Sequence, residues 1–91
     1  MVLNFTKLGK NAYVSDNIAG GATNTAIVHL AFQGKANVTV ERTIAEDDGY
    51  VPAAATEYCY RWEDTITGIA EGQKVRIKCN MRPLVAVIFN V

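Results

Sequence analysis

Apolar and polar residues alternate with a period of two along nearly the whole chain, and no segment sustains the 3.6-residue period of a helix. The first apolar stretch, Val2–Leu8, is closed by Gly9-Lys10-Asn11, and a short piece, Ala12-Tyr13-Val14, follows. Ser15-Asp16-Asn17 and then Gly20-Gly21 tolerate left-handed backbone and mark a wide turn or long loop. Thr25–Gln33 sets Val28, Leu30 and Phe32 on one face against Ile27, His29, Ala31 and Gln33 on the other. Ala36–Ile44 alternates in turn, with Val38 and Val40 facing inward against Asn37, Thr39 and Glu41. Gly34-Lys35 between them reads as a two-residue turn, which predicts a hairpin with one buried and one wet face.

Glu46-Asp47-Asp48-Gly49 reads as an acidic turn. Tyr50–Ala55 reads as extended or irregular, since Pro52 disfavours a central strand. Thr56–Glu63 alternates strictly, with Tyr58, Tyr60 and Trp62 on one face and Glu57, Cys59, Arg61 and Glu63 on the other. Thr65–Ile69 is a short strand or bend, and Glu71-Gly72 a turn. Lys74–Asn80 sets Val75, Ile77 and Cys79 against Lys74, Arg76, Lys78 and Asn80, and Arg82-Pro83 closes it. Leu84–Val91 is apolar on both faces until Asn90. Seven to eight short strands with regular turns predict an all-β chain. The expected fold is a single antiparallel β-sandwich or jelly-roll-like domain over residues 1–91, with less than about a tenth of it helical.

Composition narrows the partners. Nine basic and nine acidic residues give zero net charge, so neither nucleic acid nor an anionic membrane is drawn in by general electrostatics. Copies of the chain also repel one another little. A hydrophobic share of 49% argues against disorder. The longest apolar run, Leu84–Phe89, is too short to span a bilayer. The N-terminus lacks a charged start followed by a long apolar stretch, so the expectation is a short, complete product made in a cytoplasm rather than a secreted one. At 91 residues the core is marginal, and partner subunits are a common remedy.

Candidate chemistry is sparse, and the reading is of a protein that is not an enzyme, with no catalytic, metal or cofactor site. His29, the single histidine, falls on the polar side of a regular strand, away from the loops that carry most active residues. Cys59 and Cys79 match no zinc spacing and lie on opposite strand phases. Both are expected as free thiols, with Cys79 in the core and Cys59 pointing outward or toward an interface. Glu46, Asp47 and Asp48 lack the spacing of a calcium loop and read as a solvated tip. Gly20-Gly21 has no following Lys-Ser or Lys-Thr to cradle phosphate.

Three patterns point to partners instead. Tyr58, Tyr60 and Trp62 form an aromatic ladder that is core if buried, and a sugar- or base-stacking platform if exposed. Trp62 is expected to be buried at least in the assembled state. Lys74, Arg76 and Lys78 form a basic stripe expected to pair with Glu57, Glu63 or a neighbouring chain. Val85, Val87 and Phe89 lie on the last strand, whose second apolar face must meet either the Tyr50–Ala55 loop or another subunit.

The Thr25–Gln33/Ala36–Ile44 hairpin, the Gly68–Gly72 turn before Lys74–Asn80 and the apolar Leu84–Val91 end together resemble the small β-sandwich accessory proteins of tailed-bacteriophage virions. The resemblance covers most of the chain as architecture, with no signature motif. It implies a virion protein made in the host cytoplasm, a capsid-decoration (cement) or head-fibre subunit. Such a subunit would assemble with itself, as a trimer or lattice-bound multimer, and with a capsid or other protein lattice. A small carbohydrate-binding module using Tyr58, Tyr60 and Trp62 is the alternative reading.

Overall fold

A computed structural model describes residues 1–43 and 49–91. The acidic turn Glu46-Asp47-Asp48, and Ile44 at the end of the Ala36–Ile44 segment, lie outside the described residues. The chain is all-β. Among the described residues seven strands run in order: β1 (Phe5–Gly9), β2 (Ala12–Ser15), β3 (Ala26–Thr43), β4 (Tyr50–Pro52), β5 (Glu57–Ile66), β6 (Val75–Cys79) and β7 (Val85–Asn90). Every pairing is antiparallel, and all seven strands belong to one hydrogen-bonded sheet.

The largest departure from the sequence reading is β3. The expected hairpin about Gly34-Lys35 does not form, and residues Ala26–Thr43 make a single strand of 18 residues. The apolar side chains explain why. Val28, Leu30, Phe32, Ala36, Val38 and Val40 all occupy even positions and are all buried. A two-residue turn at Gly34-Lys35 would pair Phe32 with Asn37 and Ala31 with Val38, setting the apolar face of one arm against the polar face of the other. One continuous strand keeps all six on the same side. Gly34 also lacks the positive φ that a tight hairpin turn requires.

Fully extended, 18 residues would span about 56 Å. The longest dimension of the molecule is 34 Å, so β3 must bend. Its first half is flanked by β5 and β7. Its second half is flanked by β6 on one side, and by the start of β5 and then β4 on the other. The changeover lies between Ala31 and Ala36, where the β3–β5 register slips and where Gly34 sits. Bending folds the sheet over its own inner face, giving a sandwich-like domain with one core. Val28 and Leu30 from the first half share that core with Val38 and Val40 from the second, joined by Trp62, Ile66, Val75, Ile77, Cys79 and Ile88.

The remaining elements close this core. Pro52 lies in the short strand β4 at the sheet edge, where no ladder donor is needed. The loop after β2 crosses to the end of β7, and Thr23 N–H donates to the Val91 carbonyl (3.0 Å). Gly21 lies so close to the Val91 backbone that a Cβ would stand 2.4 Å from its carbonyl carbon. No buried side-chain nitrogen or oxygen among the described residues lacks a hydrogen-bond partner.

Candidate interaction surfaces

Because β3 stays in phase throughout, its odd-numbered residues form the outer face of the sheet. The neighbours of β3 divide that face into two surfaces of different chemistry.

Along the first half, Ile27 pairs with Phe89, His29 with Val87 and Ala31 with Val85. Val2 bridges to Val87 and extends the row by one strand. The inward residues of β7 are Ala86 and Ile88, which pack on the core. Val85 and Phe89 remain half-exposed, at 50% and 51%, and Val2 is 73% exposed. The Tyr50–Ala55 segment does not cover them. It lies against the far half of β3, with Tyr50 opposite Thr43 and Ala53 N–H bonded to the Val40 carbonyl. The outer edge of β7 is occupied by the N-terminus, through Leu3 N–H to Ala86 O (3.0 Å) and Ile88 N–H to Met1 O (2.9 Å). On the opposite flank β5 supplies a polar border of Arg61, Glu63 and Thr65. His29 lies between the two, its Nδ1 3.3 Å from Glu63 and its ring edge-on to Phe89 at 6.2 Å. The result is an apolar strip of Ile27, Ala31, Val85, Val87 and Phe89 bordered on one side by charge.

The second surface begins where the aromatic ladder divides. Trp62 is buried opposite Leu30, whereas Tyr58 and Tyr60 are 64% and 55% exposed. Strict alternation would keep all three rings together. Between the pairs Ala31–Arg61 and Ala36–Cys59, however, β3 advances five residues and β5 only two. That slip turns β5 over at Tyr60. Trp62 points inward on one side of the slip and Cys59 on the other, and the two tyrosines turn outward. Lys35 Nζ lies over both tyrosine rings, 5.6 and 5.8 Å from their centres.

The same slip corrects the expectation for Cys59, which packs partly buried against the core rather than pointing outward. Both cysteines are free thiols. The pair falls on opposite sides of β3, since Val38 has Cys79 as its partner on one side and Glu57 on the other. Burial pushes the Cys79 thiol up to about 12, with Cys59 adding to the effect. Burial and then Glu57 raise Cys59. Both are therefore poor nucleophiles.

The basic stripe is also divided. Arg76 does not reach Glu57 or Glu63. Its Nε donates to Glu41 on the neighbouring strand (2.8 Å), and its guanidinium stacks on Tyr50 at 3.8 Å. Tyr50 in turn hydrogen-bonds Asn17. Lys74 and Lys78 remain exposed. Sequence reasoning missed Glu41 and Tyr50 because only the β3–β6 and β3–β4 registers bring them to Arg76. Ile27 and Ala31 face outward as their parity predicts, but the strand beside them is β7, which pairs Phe89 with Ile27 and Val85 with Ala31, and not a hairpin partner.

Ser15 Oγ accepts from Ile77 N–H and donates to the Asp16 carbonyl, so that hydroxyl is spent on the fold. Among the described residues no three His, Cys, Asp or Glu side chains are grouped to hold a metal ion, and no helix is long and apolar enough to cross a membrane. Compared with protein-family models, curated proteins and solved structures, the chain finds no match.

Proposed function

We propose that this domain is a non-enzymatic structural protein that assembles in several copies, and that its outer β5–β3–β7 face is the assembly surface. The observation that carries the reading is the apolar strip of Ile27, Val85, Val87 and Phe89 on the outer face of the sheet, with Val85 and Phe89 half-exposed and Ile27 and Val87 half-buried between them. Contiguous apolar surface bordered by charge is what protein–protein contacts use. A chain with zero net charge adds no repulsion between copies. Within this reading the specific role is that of a capsid-decoration (cement) or head-fibre subunit of a tailed-phage virion. There the strip would meet a second copy or the capsid lattice.

The test is sedimentation velocity over a hundredfold range of concentration, with co-sedimentation on assembled phage capsids. Wild type should associate or bind capsids. Phe89→Lys should abolish both without lowering the melting temperature by more than a few degrees, since Phe89 lies outside the core. A wild-type protein that stays monomeric and ignores capsids would remove the proposal.

A further inference from the structure

We infer a second binding site, for a pyranose oligosaccharide, on the outer face of the other half of β3. A groove of about 400 Å³ runs there between the β1–β2 turn and the segment carrying Pro52 and Thr56. Its floor is made of Asn37, Thr39 and the largely buried Glu41 of β3 beside Lys78 of β6 and Asn80, which follows β6. The cross-strand partner of Asn37 is Tyr58. Asn37, which lines the groove, is thus the neighbour of the exposed Tyr58/Tyr60 pair.

The chemistry fits sugars better than other ligands. A pyranose presents axial C–H groups on its faces and hydroxyls around its rim. Exposed aromatic rings stack on the first, and planar amides and carboxylates bond the second in pairs. Tyr58 and Tyr60 supply two exposed rings two residues apart on one strand, and a stacked sugar would displace the Lys35 ammonium that lies 5.6 and 5.8 Å from their centres. Asn37 uses its backbone N–H on Asn80 Oδ1 (2.9 Å), which fixes that amide with its NH₂ left to donate. Thr39 and Thr56 hydroxyls bond one another at 2.6 Å, and Lys78 is exposed. Glu41 is held in place by Arg76. Zero net charge gives no general attraction to the phosphate backbone of a nucleic acid, the other ligand that stacks on such rings. The site shares no residue with the apolar strip, so it does not rest on the assembly reading.

The experiment is isothermal titration of the full chain with oligosaccharides of four to six residues, neutral and uronate-containing, and with a single-stranded oligonucleotide as control. Saccharide binding is expected. It should weaken at least tenfold in Tyr58→Ala and in Asn37→Ala and be unchanged in Phe89→Lys. Both substituted side chains are exposed, so an unaltered melting temperature confirms that the variants fold. Preference for uronates would assign Lys35 and Lys78 as contacts. Preference for neutral sugars would assign the stacking and amide contacts alone. The inference is overturned by no saccharide binding, by binding that survives both substitutions, or by tighter binding of the oligonucleotide.

Discussion

Replacing Glu41 by Ala should expose how much the sheet depends on one cross-strand ion pair. Glu41 and Arg76 side chains are only 10% and 20% exposed, and their hydrogen bond is 2.8 Å long. The gross attraction at that distance, with an effective dielectric of about 20, is about 6 kcal/mol. Most of it is offset by taking both charges out of water. Fully exposed pairs couple by about 0.2–1 kcal/mol, and removing one partner of a fully buried pair costs about 3–5 kcal/mol. This pair lies between those limits, so Glu41→Ala should cost about 2 kcal/mol. In a domain of this size that lowers the melting temperature by about 8–16 °C. Arg76→Ala should cost at least as much, because it also removes the stack on Tyr50 at 3.8 Å. A double-mutant cycle read by thermal and urea unfolding should give a coupling of about 1–2 kcal/mol that persists in 1 M NaCl, where a surface pair would be screened. A coupling below about 0.3 kcal/mol, or one abolished by salt, would refute the reasoning.

Three further substitutions probe the fold. Gly34→Ala should be neutral or stabilise by up to about 1 kcal/mol, because Gly34 lies within a strand and an added Cβ meets only Met81 Cε at 3.9 Å; a loss above about 1 kcal/mol in urea unfolding would restore the hairpin. Gly21→Ala should cost more than about 2 kcal/mol by forcing the Val91 backbone away from a Cβ 2.4 Å off, and unchanged denaturant stability would contradict that contact. Cys79 keeps its proton when folded up to about pH 12, while the unfolded chain loses it near 9.0. Its contribution is thus full below about pH 9 and falls by up to about 1.4 kcal/mol per pH unit above it. The stability difference between wild type and Cys79→Ala should shrink over that interval, and parallel pH profiles would disprove it.

The period-two pattern placed most of the strands, because a half-buried strand writes its inner face directly into the sequence. Val75, Ile77 and Cys79 read as core and are core. At Gly34-Lys35 the phase of the apolar positions outweighs the turn propensity of the glycine. The even-numbered apolar positions already ran unbroken from Val28 to Val40, and pairing register, not turn propensity, decides between a hairpin and a bent strand. The division of the aromatic ladder could not be read from β5 alone. Tyr58, Tyr60 and Trp62 have one parity, and the slip that separates them depends on how many residues β3 spends between Ala31 and Ala36. The Glu41–Arg76–Tyr50 group has the same origin, since three distant segments meet only through the registers of β3. The apolar outer face of β7 was legible because Leu84–Phe89 never alternates, but the strand beside it was not.

The central claim is that the outer face of β5–β3–β7 is where copies meet. Its most direct test is an isotope-filtered nuclear Overhauser experiment on a mixture of labelled and unlabelled protein, recorded at a concentration where sedimentation shows association. Intermolecular contacts are expected from the methyls of Ile27, Val85 and Val87 and from the ring of Phe89, with none from Tyr58 or Tyr60. Contacts arising from the tyrosine surface instead, or association with no contact from the apolar strip, would contradict it.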